Sequence, residues 1–211
     1  MDERTPGAAL GAIVLAAGQS SRMGAQKLLL PLGGRPLVVY AVAAACASPA
    51  DPVLVVLGRE AERVAEALPP GRQVTVLNPN YTSGMASSLR IGLDALPAAT
   101  SGALILLGDQ PLVTQAIVAA LLDEARRSPS AIVVAAYAGK RGHPVYFPRH
   151  LFPELQAVVG DEGGRSVLAA HSKLVLTLDF GDLAANRDVD GPAEYQELLA
   201  NWSAYYRPPP S

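Results

Sequence analysis

Two cations, Arg22 and Lys27, follow a segment of small residues that opens at Leu15: Ala16, Ala17, Gly18, Ser20 and Ser21. Small side chains let backbone N–H groups close on an anion. A guanidinium adds a planar fork of donors and an ammonium adds a point charge, both suited to phosphate. The apolar run Ala12-Ile13-Val14-Leu15 ahead of it reads as a buried strand. Strand, tight loop and paired cations are a means of holding a nucleoside triphosphate. The loop is neither of the two commonest phosphate loops. Five residues separate Gly18 from Gly24 and Ala25 follows, so there is no Gly-x-x-x-x-Gly-Lys-Ser/Thr, and no Gly-x-Gly-x-x-Gly follows the strand. An ordinary strand-to-helix turn with solvent-facing cations is the other reading of the same residues.

Carboxylates supply the complementary chemistry. Asp109 stands in Gly108-Asp109-Gln110-Pro111, just past the apolar run 103–107. A hard cation such as Mg²⁺ takes one or two carboxylates, water and phosphate oxygens. Far along the chain, Asp188-Val189-Asp190 places two more carboxylates on one side of an extended segment. Pro192 follows as a helix start, so Asp190 also reads as a helix N-cap. The polar stretch Asn78 to Ser88, with Gly84, Ser87 and Ser88 at its helical end, could meet a base and ribose, or could simply be capped by Ser83. Arg141-Gly142-His143-Pro144 could grip a second substrate or be structural, and Val145-Tyr146-Phe147 after it reads as an edge strand. Gly160 to Arg165 offers another anion-binding helix start.

These groups need a scaffold. Strands are expected at 11–17, 53–57, 73–77, 103–107, 131–137 and 173–178, and helices at 36–47, 60–67, 84–95, 114–125, about 165–171, and 192–200. The runs at 53–57 and 104–107 are apolar on both faces, as in the middle of a sheet covered by helices on both sides. Alternation of strand and helix implies right-handed crossovers and a mostly parallel sheet, with ligands beyond the strands' carboxyl ends. The loops 16–27, 78–88, 108–111 and 186–190 are therefore the informative ones.

The 211 residues suffice for one well-buried domain, and 50% apolar with 17% charged residues excludes a disordered chain. A net charge of −2 without a basic block gives nucleic-acid binding no electrostatic support. The single Cys46 excludes an internal disulfide and reads as a buried thiol. Asp2, Glu3 and Arg4 argue against a secretory leader, and the uncharged run 36–50, which includes Pro49, is too short to cross a membrane. A cytoplasmic protein is expected. His150 and His171 have no metal-ligand spacing, and no Gly-x-Ser-x-Gly elbow is present. Trp202, Tyr205 and Tyr206 either pack back on the domain or form a dimer contact, ahead of the Pro-rich end Pro208–Pro210.

Taken in order, Leu15-Ala16-Ala17-Gly18, Ser21-Arg22-Met23-Gly24, Lys27-Leu28-Leu29-Leu30-Pro31, Asn78-Pro79, Gly84-Met85, Ser88-Leu89, Leu107 to Pro111, Arg141 to Pro144, Gly160 to Arg165 and Asp188 to Asp190 resemble the MobA-like nucleotidyltransferases. The likeness is strongest to the molybdenum cofactor cytidylyltransferase branch and covers about residues 11–199. The resemblance implies an α/β, Rossmann-like three-layer nucleotidyltransferase fold with a mostly parallel central sheet. It implies one domain at 11–200, between an N-terminal extension, 1–10, and a tail, 201–211. It also implies Mg²⁺-dependent transfer of CMP from CTP to the phosphate of the molybdenum-bound pterin cofactor, with pyrophosphate released. The cytosine dinucleotide product serves xanthine-oxidase-like hydroxylases, so a molybdenum hydroxylase is an implied partner, with the chain a monomer or weak homodimer. Carried over by position, Arg22, Lys27 and Asp109 are catalytic. Leu15, Ala16, Ala17, Gly18, Arg22, Lys27, Asn78, Gly84, Ser87, Ser88, Gly108, His143 and Arg165 bind substrate. Asp109 and Asp190 ligate Mg²⁺, with Asp188 assisting. Related guanylyltransferases have Leu-Ala-Gly-Gly where Ala17 stands here, which favours cytidine. Gly191 replaces a Thr common in the family. Another phosphorylated acceptor such as a sugar phosphate, another nucleotide, or a non-catalytic cofactor carrier are the alternatives.

Overall fold

A computed structural model describes residues 9–19, 26–181 and 187–206. Its centre is a seven-stranded sheet: β1 (Leu10–Ala16), β4 (Val53–Leu57), β5 (Gln73–Leu77), β6 (Gly102–Leu107), β7 (Ile132–Tyr137), β8 (Lys140–Pro148) and β9 (Val175–Asp179), in the order β5-β4-β1-β6-β8-β7-β9. β2 (Pro31–Leu32) and β3 (Arg35–Pro36) form a small separate hairpin. The pairs β5/β4, β4/β1, β1/β6 and β7/β9 are parallel, whereas β8 is antiparallel to both its neighbours. The strands at 53–57 and 73–77 stand where the sequence predicts them. β4 and β6 are buried along their whole length, the pattern of strands covered on both faces.

One layer over the sheet holds α1 (Val38–Cys46), α2 (Ala61–Ala67), α4 (Gln115–Arg127) and α7 (Pro192–Tyr205), packed around Val14, Leu104, Leu106 and Val133. The other holds α3 (Met85–Asp94), α5 (Phe152–Ala157) and α6 (Arg165–Ala170), packed around Ile13, Val56, Ile105 and Val145. Alternate residues of one strand thus serve opposite layers.

The segment Val145-Tyr146-Phe147 is not an edge strand. It lies between β6 and β7, and the three residues are 4%, 1% and 2% exposed. The cause is the two-residue turn Ala138-Gly139, both with positive φ, which folds β8 back beside β7. The true edges are β5 and β9, where Val74 and Leu77, and Leu176, are exposed.

The last helix continues past residue 200 to Tyr205. Trp202 stacks on Tyr206 at 4.6 Å and meets Tyr40 of α1 edge-on at 4.8 Å, so these aromatics pack back on the domain. Tyr195 Oη donates to the Pro31 carbonyl at 2.5 Å, tying α7 to the hairpin that follows Lys27. Cys46 is half-buried rather than fully enclosed, with Sγ 3.3 Å from Gln73 Oε1. Among the described residues no helix is long and apolar enough to cross a membrane.

Candidate active site

A cleft of about 880 Å³ opens at the carboxyl ends of β1 and β6, the position that a mostly parallel sheet reserves for ligands. Of the sequence-predicted residues it takes in Leu15, Ala17, Gly18, Lys27, Gly84, Ser88, Asp109, His143, Arg165, Asp188 and Asp190. Arg22, with the rest of residues 20–25, lies outside the described residues.

Lys27 sits at the meeting point of the acidic groups. Its backbone is fixed by Gln26, which is 4% exposed, donates Nε2 to the Arg59 carbonyl at 2.8 Å and accepts from Leu28 N. From there Lys27 Nζ reaches Asp109 Oδ2 at 2.5 Å and Asp190 Oδ1 at 3.2 Å. Cation and carboxylates therefore share one locus. Burial by itself would lower the Lys27 pKa, but the pairs with Asp109 and Asp190 outweigh it and hold the ammonium above its usual range. Asp190 is not a helix cap. Gly191 takes the N-cap position of α7, and the Asp190 carboxylate turns to Lys27 instead.

Asp188 is reached by a residue that the sequence reading quoted but did not assign. Gln110, 2% exposed, donates Nε2 to Asp188 Oδ1 at 2.5 Å. The Asp188 carboxyl is pushed above the usual carboxylate range, first by burial and then by the charge of Asp109, with the Gln110 hydrogen bond opposing. Val189, 2% exposed, anchors the strip between the two carboxylates, and its N–H donates to the Asp109 carbonyl at 3.3 Å.

Among the described residues no three His, Cys, Asp or Glu side chains form a ready metal-binding group. A hard divalent ion sharing its shell with phosphate oxygens and water needs only one or two carboxylates. Asp109 and Asp190 already converge on one cationic atom, so this pair fits such an ion.

Four predicted binding residues do not line the cleft. Asn78 is fully buried, with Nδ2 donating to Ser87 Oγ and Ser88 Oγ, both at 2.9 Å, and Oδ1 accepting from Asn80 N. Ser87 Oγ is spent on the Gly84 carbonyl at 2.8 Å. These two residues hydrogen-bond to each other and within the loop, and so shape it. Ala16 is buried in the sheet core, and Gly108 gives room where β6 meets β1, since a Cβ there would stand 3.1 Å from the Leu15 carbonyl.

The capping of α3 also departs from expectation. Ser83 does not cap it. Met85 N donates to Asp161 Oδ1 at 3.0 Å, and Ala86 N to the Gly160 carbonyl at 2.9 Å. The loops 78–88 and 160–165 are thereby clasped together, with Gly84 at φ +101° between them. Arg165 and Arg141 line this wall of the cleft, with Phe147 and Val145 of β8 on its floor. The sequence offered this segment as an edge strand, because nothing in the chain marks where a buried face opens.

His143 lies between the two halves. Burial lowers its pKa to about 4, the nearby Asp109 acting to raise it and Arg165 to lower it. The imidazole is neutral at pH 7, so it can exchange hydrogen bonds with a substrate without adding charge. The unfolded chain binds this proton near pH 6.5 and the folded chain only near 4. This group's contribution is therefore fully present above about pH 6.5 and lost as pH falls toward 4, up to about 3 kcal/mol. Thermal melts at pH 7.5 and 4.5 are expected to show a smaller acid loss for His143→Gln than for the wild type.

Residues 12–174 match the MobA-like NTP transferase domain. Nicotine blue oxidoreductase of Paenarthrobacter nicotinovorans is 35% identical over 89% of this chain and 95% of its own length. Purine catabolism protein PucB of Bacillus subtilis is 32% identical, over 87% of this chain and 92% of its own. Among solved structures, Rv0371c of Mycobacterium tuberculosis superposes with a TM-score of 0.83 at 30% identity, over 92% of this chain and 99% of that one. A second structure of Rv0371c, with a TM-score of 0.76 at 28% identity over 91% and 98% of the two chains, is a complex with manganese.

Proposed function

We propose that this chain, which belongs to the MobA-like NTP transferase family and is a nucleotidyltransferase, transfers CMP from CTP to the phosphate of the molybdenum–pterin cofactor, with Mg²⁺. The observation that carries this reading is the convergence of Lys27, Asp109 and Asp190 in one cleft. In the reaction an acceptor phosphate oxygen attacks the α-phosphorus of CTP, and the bond to pyrophosphate breaks. The acceptor is already anionic, so no strong base is needed, in keeping with a neutral His143. Catalysis is then alignment and charge neutralisation.

Asp109 and Asp190 would hold Mg²⁺, with Asp188 oriented beside them by Gln110. The ion supplies neutralisation of the triphosphate and of the leaving pyrophosphate. Lys27 and Arg22 serve the same charge from the protein. Ala17 and Gly18 bring backbone close to the nucleotide. Ser88 of α3 and Gly84 just ahead of that helix bound it, while Arg141, His143 and Arg165 face the acceptor's phosphate. The manganese in Rv0371c supports a divalent requirement. The name of PucB supports a cofactor bound for hydroxylases of the xanthine-oxidase type, xanthine being a purine. A cytoplasmic setting and a molybdenum hydroxylase as recipient belong to the same reading.

The test is pyrophosphate release by the full chain with molybdenum-loaded cofactor, Mg²⁺ and each of the four common NTPs in turn. Release with CTP above the others is expected. Release only with a sugar phosphate as acceptor would redirect the reading to a sugar-nucleotide synthase. Tight cofactor binding without release would make the chain a carrier. Reduced-nicotinamide consumption without release would align it with the oxidoreductase its relative is named for.

A further inference from the structure

The Lys27 side chain and the proposed metal ligands compete for one another. Lys27 Nζ is within hydrogen-bond distance of both Asp109 Oδ2 and Asp190 Oδ1, and the Lys27 and Asp109 side chains are only 12% and 17% exposed. An ammonium and a divalent ion cannot both occupy the space between those oxygens, because like charges that close repel strongly where water is scarce. The Lys27 backbone is pinned through Gln26 and the buried Leu28, but four methylenes separate it from Nζ. The charge can therefore swing while the loop stays still. Asp190 is the more open partner, 53% exposed, so the ion's approach lies on its side.

We propose that Lys27 is the resident counter-ion of the Asp109–Asp190 pair, a placeholder that an incoming divalent cation displaces from the carboxylates toward the triphosphate. This rests on the reading of the cleft as a metal-assisted transfer site. It adds a coupling that the reading alone does not contain. The free protein keeps its carboxylates partly neutralised and binds the ion weakly. Ion and nucleotide then bind together, because the nucleotide takes up the ammonium that the ion expels. By linkage each strengthens the other's binding equally.

The experiment uses the full chain, Mn²⁺ as the ion and no nucleotide. Free Mn²⁺ is followed by its electron-spin resonance signal. Lys27→Met is expected to bind Mn²⁺ about tenfold tighter than wild type, and Lys27→Arg, which keeps the charge, to stay near wild type. Adding Asp190→Asn to Lys27→Met should remove the gain. A second measurement needs no variant. The chain has three lysines, Lys27, Lys140 and Lys173. Mg²⁺ should speed labelling of Lys27 by an amine reagent, read by peptide mass, and leave Lys140 and Lys173 unchanged. The proposal is overturned if Lys27→Met folds and binds Mn²⁺ no tighter, or if Mg²⁺ leaves Lys27 labelling unchanged. Pyrophosphate release with neither effect discards the placeholder and keeps the transfer reaction. Both effects without release keep the placeholder and discard the reaction.

Discussion

Asp109→Asn is expected to lower pyrophosphate release about a thousandfold in kcat/KM while the chain stays folded, because roughly 4 kcal/mol of transition-state stabilisation leaves with one charge. The amide keeps the shape of Asp109 and its place at the end of β6, so the loss reports charge and not packing. Asp109 is the hub of the acidic groups. It pairs with Lys27, its carbonyl receives the Val189 N–H, and its charge acts on both Asp188 and His143. Losing it also removes the shorter of the two Lys27 contacts with Asp109 and Asp190, which costs stability as well. Melting curves separate the two effects, since a stability loss moves the midpoint and the catalytic loss persists far below it. A cofactor carrier would bind its cargo with either residue at position 109, so a rate unchanged in Asp109→Asn contradicts a catalytic role.

Gly84→Ala is expected to have the largest structural effect for the smallest chemical change. Gly84 holds φ +101° and ψ 173°, a region open in practice only to glycine. A methyl there would stand 2.5 Å from the carbonyl carbon and oxygen of Gly160 and 2.8 Å from Asp161 Oδ1. Those are the groups that cap α3, and backbone cannot yield as a flexible side chain can. Strain of about 1–3 kcal/mol, plus the loosened clasp, should lower Tm by roughly 5–10 °C. Because the clasp walls the cleft, KM should rise more than kcat falls. Scanning calorimetry and initial rates on the same preparation check both parts. A Tm within a degree of wild type would show that the two loops do not bear on each other as described.

What the sequence disclosed and what it withheld divide along physical lines. Runs such as Val53–Leu57 announce buried strands by their own composition, and the mostly parallel sheet follows from their alternation with helices. The position of β8 does not follow, because it is decided by the two-residue turn at Ala138-Gly139, where Ala138 takes a left-handed conformation that its type does not advertise. The acidic residues were legible as a set. Their exact partner was not, since Lys27 lies 82 and 163 residues from Asp109 and Asp190. Polar residues in a loop were the least legible. Asn78 and Ser87 carry groups of the kind a nucleotide uses, and the hydrogen bonds both make within the loop are fixed by the fold and not announced by residue type. Gln110, conversely, carried no signal beyond its place beside Asp109.

The most direct test of a metal-assisted nucleotidyl transfer in this cleft follows the α-phosphate. CTP labelled at the α-phosphorus is incubated with the full chain, Mg²⁺ and molybdenum-loaded cofactor, and the products are separated by mass. The account predicts that the label moves into a cytosine dinucleotide form of the cofactor with one pyrophosphate released per transfer, and that chelating the Mg²⁺ stops it. Label that remains in CTP, or that emerges as free CMP with the cofactor unchanged, would contradict it.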